Sequence, residues 1–334
     1  VKTNEIKRII VSRTDSIGDV ILTLPLCVWI KKQFPEATLV FLARSYTIPV
    51  VSCFLPVDEI LDWDLLSNLP SAEKNERIKS DCIIHVFPNS EIASLAKKAK
   101  IPIRIGTSHR TFHFLTCNYK VNFSRKNSPW HEAQLNFELA RPLGLKAIPS
   151  LEELMDQSAN FIVPFNTFPS PIAKIELGQA IVLHPKSQGS ALEWPIEKYF
   201  ELSNELVKSG KVVLITGTEA EGLLIRERFV FSPQLIDVTG QLSLSQMISL
   251  LSEVKVAVAC STGPIHIKSI IGGNAIALFA SRRPIHPGRW RPLGLHSKVM
   301  VFDENCPGCK KTKSCRCLEN ISVASVLKKL HEFF

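Results

Sequence analysis

No apolar run in this chain approaches the roughly 18 residues that a membrane-spanning helix needs. The longest, Val20 to Ile30, is interrupted by Thr23 and Pro25. The opening residues Val1-Lys2-Thr3-Asn4-Glu5-Ile6-Lys7 run into a short apolar stretch with no small-residue cleavage site, so no signal peptide is expected. A cytoplasmic location follows, with peripheral contact at an inner membrane face still open to it. The pattern G-x-x-x-x-G-K-[ST] is absent, which excludes a P-loop enzyme. G-x-G-x-x-G is absent as well, which argues against a nicotinamide dehydrogenase. Aromatic residues make up only 8% of the chain, and no nucleic-acid-binding motif occurs, so nucleic acid is not the expected partner.

What is present suits two domains. A chain of 334 residues with 45% hydrophobic content exceeds one typical core. Lys and Arg number 40 against 31 Asp and Glu, a formal net charge of +9. Such a surface favours anionic partners, among them phosphorylated sugars and an anionic membrane face. Of the nine cysteines, Cys27, Cys53, Cys82, Cys117 and Cys260 lie scattered in apolar surroundings, where buried thiols are common. The other four cluster as Cys306-x2-Cys309-x5-Cys315-x-Cys317. Four thiolates match a structural zinc site in number, and Lys310, Lys311, Lys313 and Arg316 would offset their charge. Free surface thiols are the alternative.

Apolar runs and helical patterns alternate along the chain. Ile6 to Ser12 reads as a buried strand and Ile17 to Gln33 as a helix, with Ser16 and Asp19 forming a capping box at its start. Thr38 to Ala43 completes a βαβ unit, which implies a parallel sheet. Glu59 to Trp63, Lys79 to Phe87 and Ile101 to Gly106 continue the strands, and His131 to Leu143 is a helix that Gly144 ends. Asn160 to Gly178 carries Pro164, Pro169 and Pro171 and reads as the linker. The rhythm then restarts. Strands are expected at Ala180–His184, Lys211–Thr216, Leu235–Val238, Val254–Cys260 and Ala275–Phe279, the last of the series. Helices are expected between them. The expected architecture is α/β, two doubly wound Rossmann-like domains facing a cleft. The first spans 1–165, the second 166–320, and 321–334 is a C-terminal helix.

Open parallel sheets hold ligands at the carboxyl ends of their strands. Three loops there carry suitable residues. In Arg13-Thr14-Asp15-Ser16-Ile17-Gly18-Asp19, Gly18 lets a ligand approach the backbone. Asp19 has the chemistry to accept a hydroxyl proton, or simply completes the helix cap. Ser261-Thr262-Gly263-Pro264-Ile265-His266 leads from a strand into a helix whose first N–H groups suit a diphosphate, or is an ordinary N-cap. In His184 to Pro195, Lys186, Ser187 and Gly189 are placed to embrace phosphates. Arg104, His109, Arg110 and Lys120 form a basic region suited to an anionic acceptor. Arg282 to His296 is a second basic stretch. Asp62-Trp63-Asp64 has the form of a metal-binding D-x-D but reads better as a turn.

RTDSIGDVILTLP, LHPKSQGSALEWP and STGPIHI, in that order from about Ile9 to Gly294, resemble the lipopolysaccharide heptosyltransferases, glycosyltransferase family nine. The resemblance implies a GT-B fold and an inverting, metal-independent transfer. The implied donor is ADP-L-glycero-D-manno-heptose, and the implied acceptor is an anionic, lipid-linked inner-core saccharide. It makes Asp19 the general base and sets Arg13, on the acceptor side, where a basic residue usually follows the first strand. It assigns Ser187, Thr262, Gly263 and His266 to the donor diphosphate, Glu221 to the ribose, and His131 to a recurrent position opening a helix. Lys186 stands in for a lysine usual at the position of Leu192, and Ser261 replaces the usual Asp. No cofactor is required for catalysis. The cysteine-rich tail after Asp303 falls outside the implied family core. A glycosyltransferase with another donor sugar, a nucleotide-sugar epimerase, a basic zinc-containing nucleic-acid-binding protein and a catalytically dead scaffold are the rival readings.

Overall fold

The computed structural model describes residues 6–125, 128–170, 172–311 and 315–334. The chain forms two compact units, Val1–Leu154 with Asn160–Ile162, and Met155–Ala159 with Val163–Phe334.

The first unit is built on β1 (Arg8–Ser12), β2 (Thr38–Ala43), β3 (Glu59–Asp62), β4 (Cys82–His85), β5 (Ile103–Thr107) and β6 (Tyr119–Val121). They form one parallel sheet in the order β3-β2-β1-β4-β5-β6. β1 lies at the centre, with Ile9 opposite Leu39 on one side and Cys82 on the other. Ile9, Ile10 and Val11 are fully buried, as a strand covered on both faces requires. The strand order reverses between β1 and β4. Their carboxyl ends therefore form the switch point at which doubly wound sheets hold ligands.

The second unit repeats this plan with β7 (Ile181–His184), β8 (Val213–Ile215), β9 (Leu235–Asp237), β10 (Val256–Cys260), β11 (Asn274–Phe279) and β12 (Ser297–Val301). The order is β12-β11-β10-β7-β8-β9, again parallel, and the reversal lies between β7 and β10. Its core joins Trp194, Tyr199 and Leu202 to Val326 and Leu330 of the Val323–Leu330 helix. The α/β, doubly wound architecture expected from the sequence is present in both units.

Four local expectations change. The helix expected over Ile17 to Gln33 is two helices, Ile17–Ile21 and Leu24–Gln33. Pro25 lacks the N–H that would reach the Ile21 carbonyl, and its ring crowds that group. The helix expected from His131 is an α-helix over Glu132–Phe137 that tightens to a 3-10 helix over Glu138–Leu143, with Pro142 inside it. Gly144 closes it at φ 100°. Ala275–Phe279 is not the last strand, because β12 follows. β6 is also additional. Both are edge strands with one neighbour, and neither carries the continuous apolar run that marks a central strand.

Candidate active site

Arg13 leaves β1 still bonded to the sheet, its N–H donating to Leu42 O at 3.0 Å. Its side chain is buried and draws three carboxylates around it. Nε donates to Asp15 Oδ1 at 2.7 Å, Nη2 to Asp19 Oδ1, and Nη1 lies 3.5 Å from Glu132. Burial alone would weaken the Arg13 charge, but the three carboxylates outweigh it and hold its pKa above the usual value. Burial pushes the Asp15 carboxyl up to about 7; Arg13 opposes this and the Asp19 charge adds to it.

The capping box expected at Ser16 and Asp19 does not form. Ser16 occupies the N-cap position, but its side chain caps nothing. Its Oγ donates instead to Asp19 Oδ2. The Arg13 guanidinium, at the end of β1, is the stronger competitor for that carboxylate. Asp19 is thus gripped from two sides while its side chain stays 18% exposed. A carboxylate fixed in this way retains a face on which to receive a proton.

The Glu132–Phe137 helix supports the cluster. His131 caps it, Nδ1 accepting from the Ala133 N–H at 3.2 Å while Gln134 Oε1 accepts from the His131 N–H. The cap aims Glu132 and Asn136, four residues apart on one face, at Arg13. Asn136 Nδ2 also donates to Leu22 O at 3.0 Å, where the first helix breaks. Arg125 binds Glu132 at 2.9 Å, and Tyr46 Oη donates to Asp15 O at 2.6 Å. Sequence reasoning missed Asp15, Tyr46, Arg125, Glu132 and Asn136 as site residues. The i, i+4 pair of Glu132 and Asn136 behind a histidine cap was the one local signal. Of the basic region, Arg104 is committed to the carbonyls of Thr116 and Ile101 and holds β5. Arg110 is exposed at the N-cap position of the Thr111–Thr116 helix.

In the second unit, the loop after β7 turns through Gln188 at φ 50° and Gly189 at φ 77°. Glu193 organises it. Oε1 accepts from the Ser187 N–H at 2.8 Å and from Ser187 Oγ at 2.9 Å, while Oε2 pairs with Lys186. Glu221 ties this loop to the one after β8. Oε1 accepts from the Gln188 N–H at 3.1 Å, and Oε2 closes a capping box with Thr218. Leu192 packs on the core. After β10, Thr262 occupies the N-cap position of the Gly263–Ile270 helix, but its hydroxyl does not cap it. The hydroxyl leans back toward Cys260 O at 3.4 Å. His266 is buried in the first turn. β7 and β10 are neighbours, so both loops leave one switch point. An open cavity of about 390 Å³ lies beside Lys186, Glu193 and Trp194.

Two further motifs resolve differently. Asp62 caps the Trp63–Leu66 helix through the N–H groups of Asp64 and Leu65, and Asp64 pairs with Arg44. The D-x-D is a turn. Among the described residues, the only grouping of metal-ligating side chains is Cys306, Cys309, Cys315 and Cys317, whose sulfurs lie within 4.8 Å of one another. Lys313 lies outside the described residues.

The profile of glycosyltransferase family 9 (heptosyltransferase) matches residues 79–319. The chain belongs to that family. Family membership decides for glycosyl transfer over the epimerase and nucleic-acid readings. A lipopolysaccharide core heptosyltransferase of Haemophilus influenzae, OpsX, is 23% identical over 312 residues, covering 90% of this chain and 86% of that protein. A glycosyl transferase family 9 structure from Veillonella parvula superposes with a TM-score of 0.78 at 21% identity, covering 100% of this chain and 98% of that one. The E. coli heptosyltransferase WaaC, solved with ADP, gives 0.71 at 18% identity, covering 98% and 100%. These family 9 folds confirm the GT-B architecture. The matched range includes Cys306 to Cys317. The expectation that the cysteine-rich tail lies outside the family core is therefore corrected, the tail being folded into the core of the second unit.

Proposed function

We propose that this family 9 enzyme transfers a heptose from ADP-heptose to an anionic lipopolysaccharide inner-core acceptor, with inversion, without a catalytic metal, and with Asp19 as general base. The observation that carries the reading is the carboxylate of Asp19, held by Arg13 and Ser16 at the switch point after β1 and still accessible. Asp19 takes the proton of the acceptor hydroxyl. The hydroxyl oxygen bonds to the anomeric carbon from the face opposite the diphosphate, whose bond to that carbon breaks, and ADP departs. Thr262, Gly263 and His266 at the start of their helix, with Ser187 and Lys186, receive the charge developing on the diphosphate. Lys186 exchanges Glu193 for phosphate as donor binds. Glu221 lies beside that loop, where a ribose contact completes the donor site.

The ADP seen with WaaC and the core-heptose role of OpsX support this choice of donor and acceptor. On the acceptor side Arg13 positions Asp19, Gly18 admits the saccharide, and Arg110 meets its negative charge. His131 and Arg104 act through the backbone they hold. The +9 charge suits work against an anionic membrane face from the cytoplasm. Asp19→Ala should lower transfer by about 10²- to 10⁴-fold, the usual contribution of a general base. Calorimetric ADP affinity should be unchanged. Near-normal turnover in that variant would refute the assignment.

A further inference from the structure

The four clustered cysteines take no part in the transfer described above. Cys306, Cys309 and Cys317 are buried, and Cys315 is partly so. Cys306 and Cys315 sulfurs are 3.4 Å apart, and Cys309 and Cys317 sulfurs 3.1 Å. A zinc ion bound to four thiolates at about 2.3 Å sets its sulfurs about 3.8 Å apart, between these close pairs and the 4.8 Å within which all four lie, so small shifts make the tetrahedron. Disulfides, at about 2.05 Å, would need the sulfurs to close by more than 1 Å. The surrounding backbone already has the form of a knuckle. Cys306, its N–H donating to Asp303 O at 3.4 Å, stands just before the Pro307–Lys311 helix that carries Cys309. A Cβ on Gly308 would stand 2.9 Å from Cys315 Sγ, so a larger residue there would push into the cluster.

The knuckle also reaches the donor loop's neighbourhood. Cys317 opens a short 3-10 turn ending at Asn320. Just beyond it, Ile321 O accepts from Trp194 Nε1 at 3.0 Å and from Lys198 Nζ at 2.9 Å. Arg316 and Glu319 face the same open cavity as Lys186 and Glu193. The segment the cysteines hold is thus a wall for the loop after β7.

We propose that Cys306, Cys309, Cys315 and Cys317 bind one structural zinc ion, which braces residues 316–321 against Trp194 and Lys198 and so fixes that wall. Zn²⁺ displaces the four thiol protons and no electron is transferred, leaving a site of charge −2 beside Lys310 and Arg316. Chain purified under thiol-protecting conditions is analysed for metal by mass spectrometry, and for thiols in denaturant with chelator. The expected result is one zinc per chain and all nine cysteines as thiols. Removing the zinc should make amide exchange about tenfold faster across 194–199 and 316–323. Exchange in β1 and β2 should not change, and added zinc should reverse the effect. Gly308→Ala, which leaves every ligand in place, should weaken zinc retention against a chelator.

Five thiols and no metal would mean two disulfides and would overturn the site. So would nine thiols with no zinc taken up from solution. Iron in place of zinc would overturn the metal assigned, and unchanged exchange after zinc removal would overturn the bracing role. None of these readouts uses the transferase reaction, so they stand or fall apart from the Asp19 assignment.

Discussion

At the scale of single residues, the site is a problem in charge. Arg13 is a buried cation that three carboxylates neutralise, and each carboxylate is tolerable there because of it. Arg13→Gln would strand Asp15 and Glu132 together and should cost about 3 kcal/mol in a denaturant unfolding experiment, the range seen when one partner of a buried pair is removed. Asp15 is the group poised to titrate near neutrality, burial having pushed it up to about 7. Below that pH it is protonated and adds no negative charge beside Asp19; above it, the two carboxylates share one guanidinium. An inflection near pH 7 in the kcat/KM profile should therefore vanish in Asp15→Asn, and one that survives the change would show that Asp15 does not set it. Asp19 was singled out in the sequence by position and resemblance. Its partners were not, because Arg13 reaches Glu132 across more than a hundred residues of chain.

At the scale of elements, legibility followed burial. β1, β2, β7 and β10 are central, apolar and continuous, and the sequence marks each of them. β6 and β12 are edges with mixed composition and went unmarked. The helices were legible as periodic stretches but not at their breaks, which Pro25 and Pro142 set. The loop after β7 holds a partner that the sequence did not mark. Its Lys186 and Ser187 read as phosphate ligands, yet in the folded chain both are occupied by Glu193, which no local pattern singled out. His131 is the element-level control point. His131→Ala removes a helix cap, which should cost about 1 kcal/mol in stability. It should also loosen Glu132 and Asn136 behind Arg13. The expected signature is a fall in kcat with little change in ADP affinity, and an equal loss in both would mean a merely global effect.

At the scale of the whole molecule, two sheets of the same order each put a switch point where the sequence places its polar loops. That agreement, more than any single motif, is what the family match at residues 79–319 extends. The fold also carries an acid liability. His85 is fully buried on β4, and burial lowers its pKa to about 3, with His113 pushing the same way. His113 and His184 are lowered too, chiefly by burial. The unfolded chain then binds more protons, so their stability contribution is whole above about pH 6.5 and is lost as pH falls toward 3. Chemical denaturation at pH 5 should show a loss of about 2 kcal/mol from His85 alone. His85→Leu should flatten that dependence.

The central claim is transfer from ADP-heptose to a saccharide hydroxyl activated by Asp19. Its most direct test is ADP release from ADP-heptose by the purified chain, with and without a lipid-linked inner-core acceptor, alongside Asp19→Ala. The expected result is acceptor-dependent release, a product whose anomeric configuration is opposite to the donor's, and loss of both in the variant. Release that ignores the acceptor, a retained configuration, or an active Asp19→Ala enzyme would contradict it.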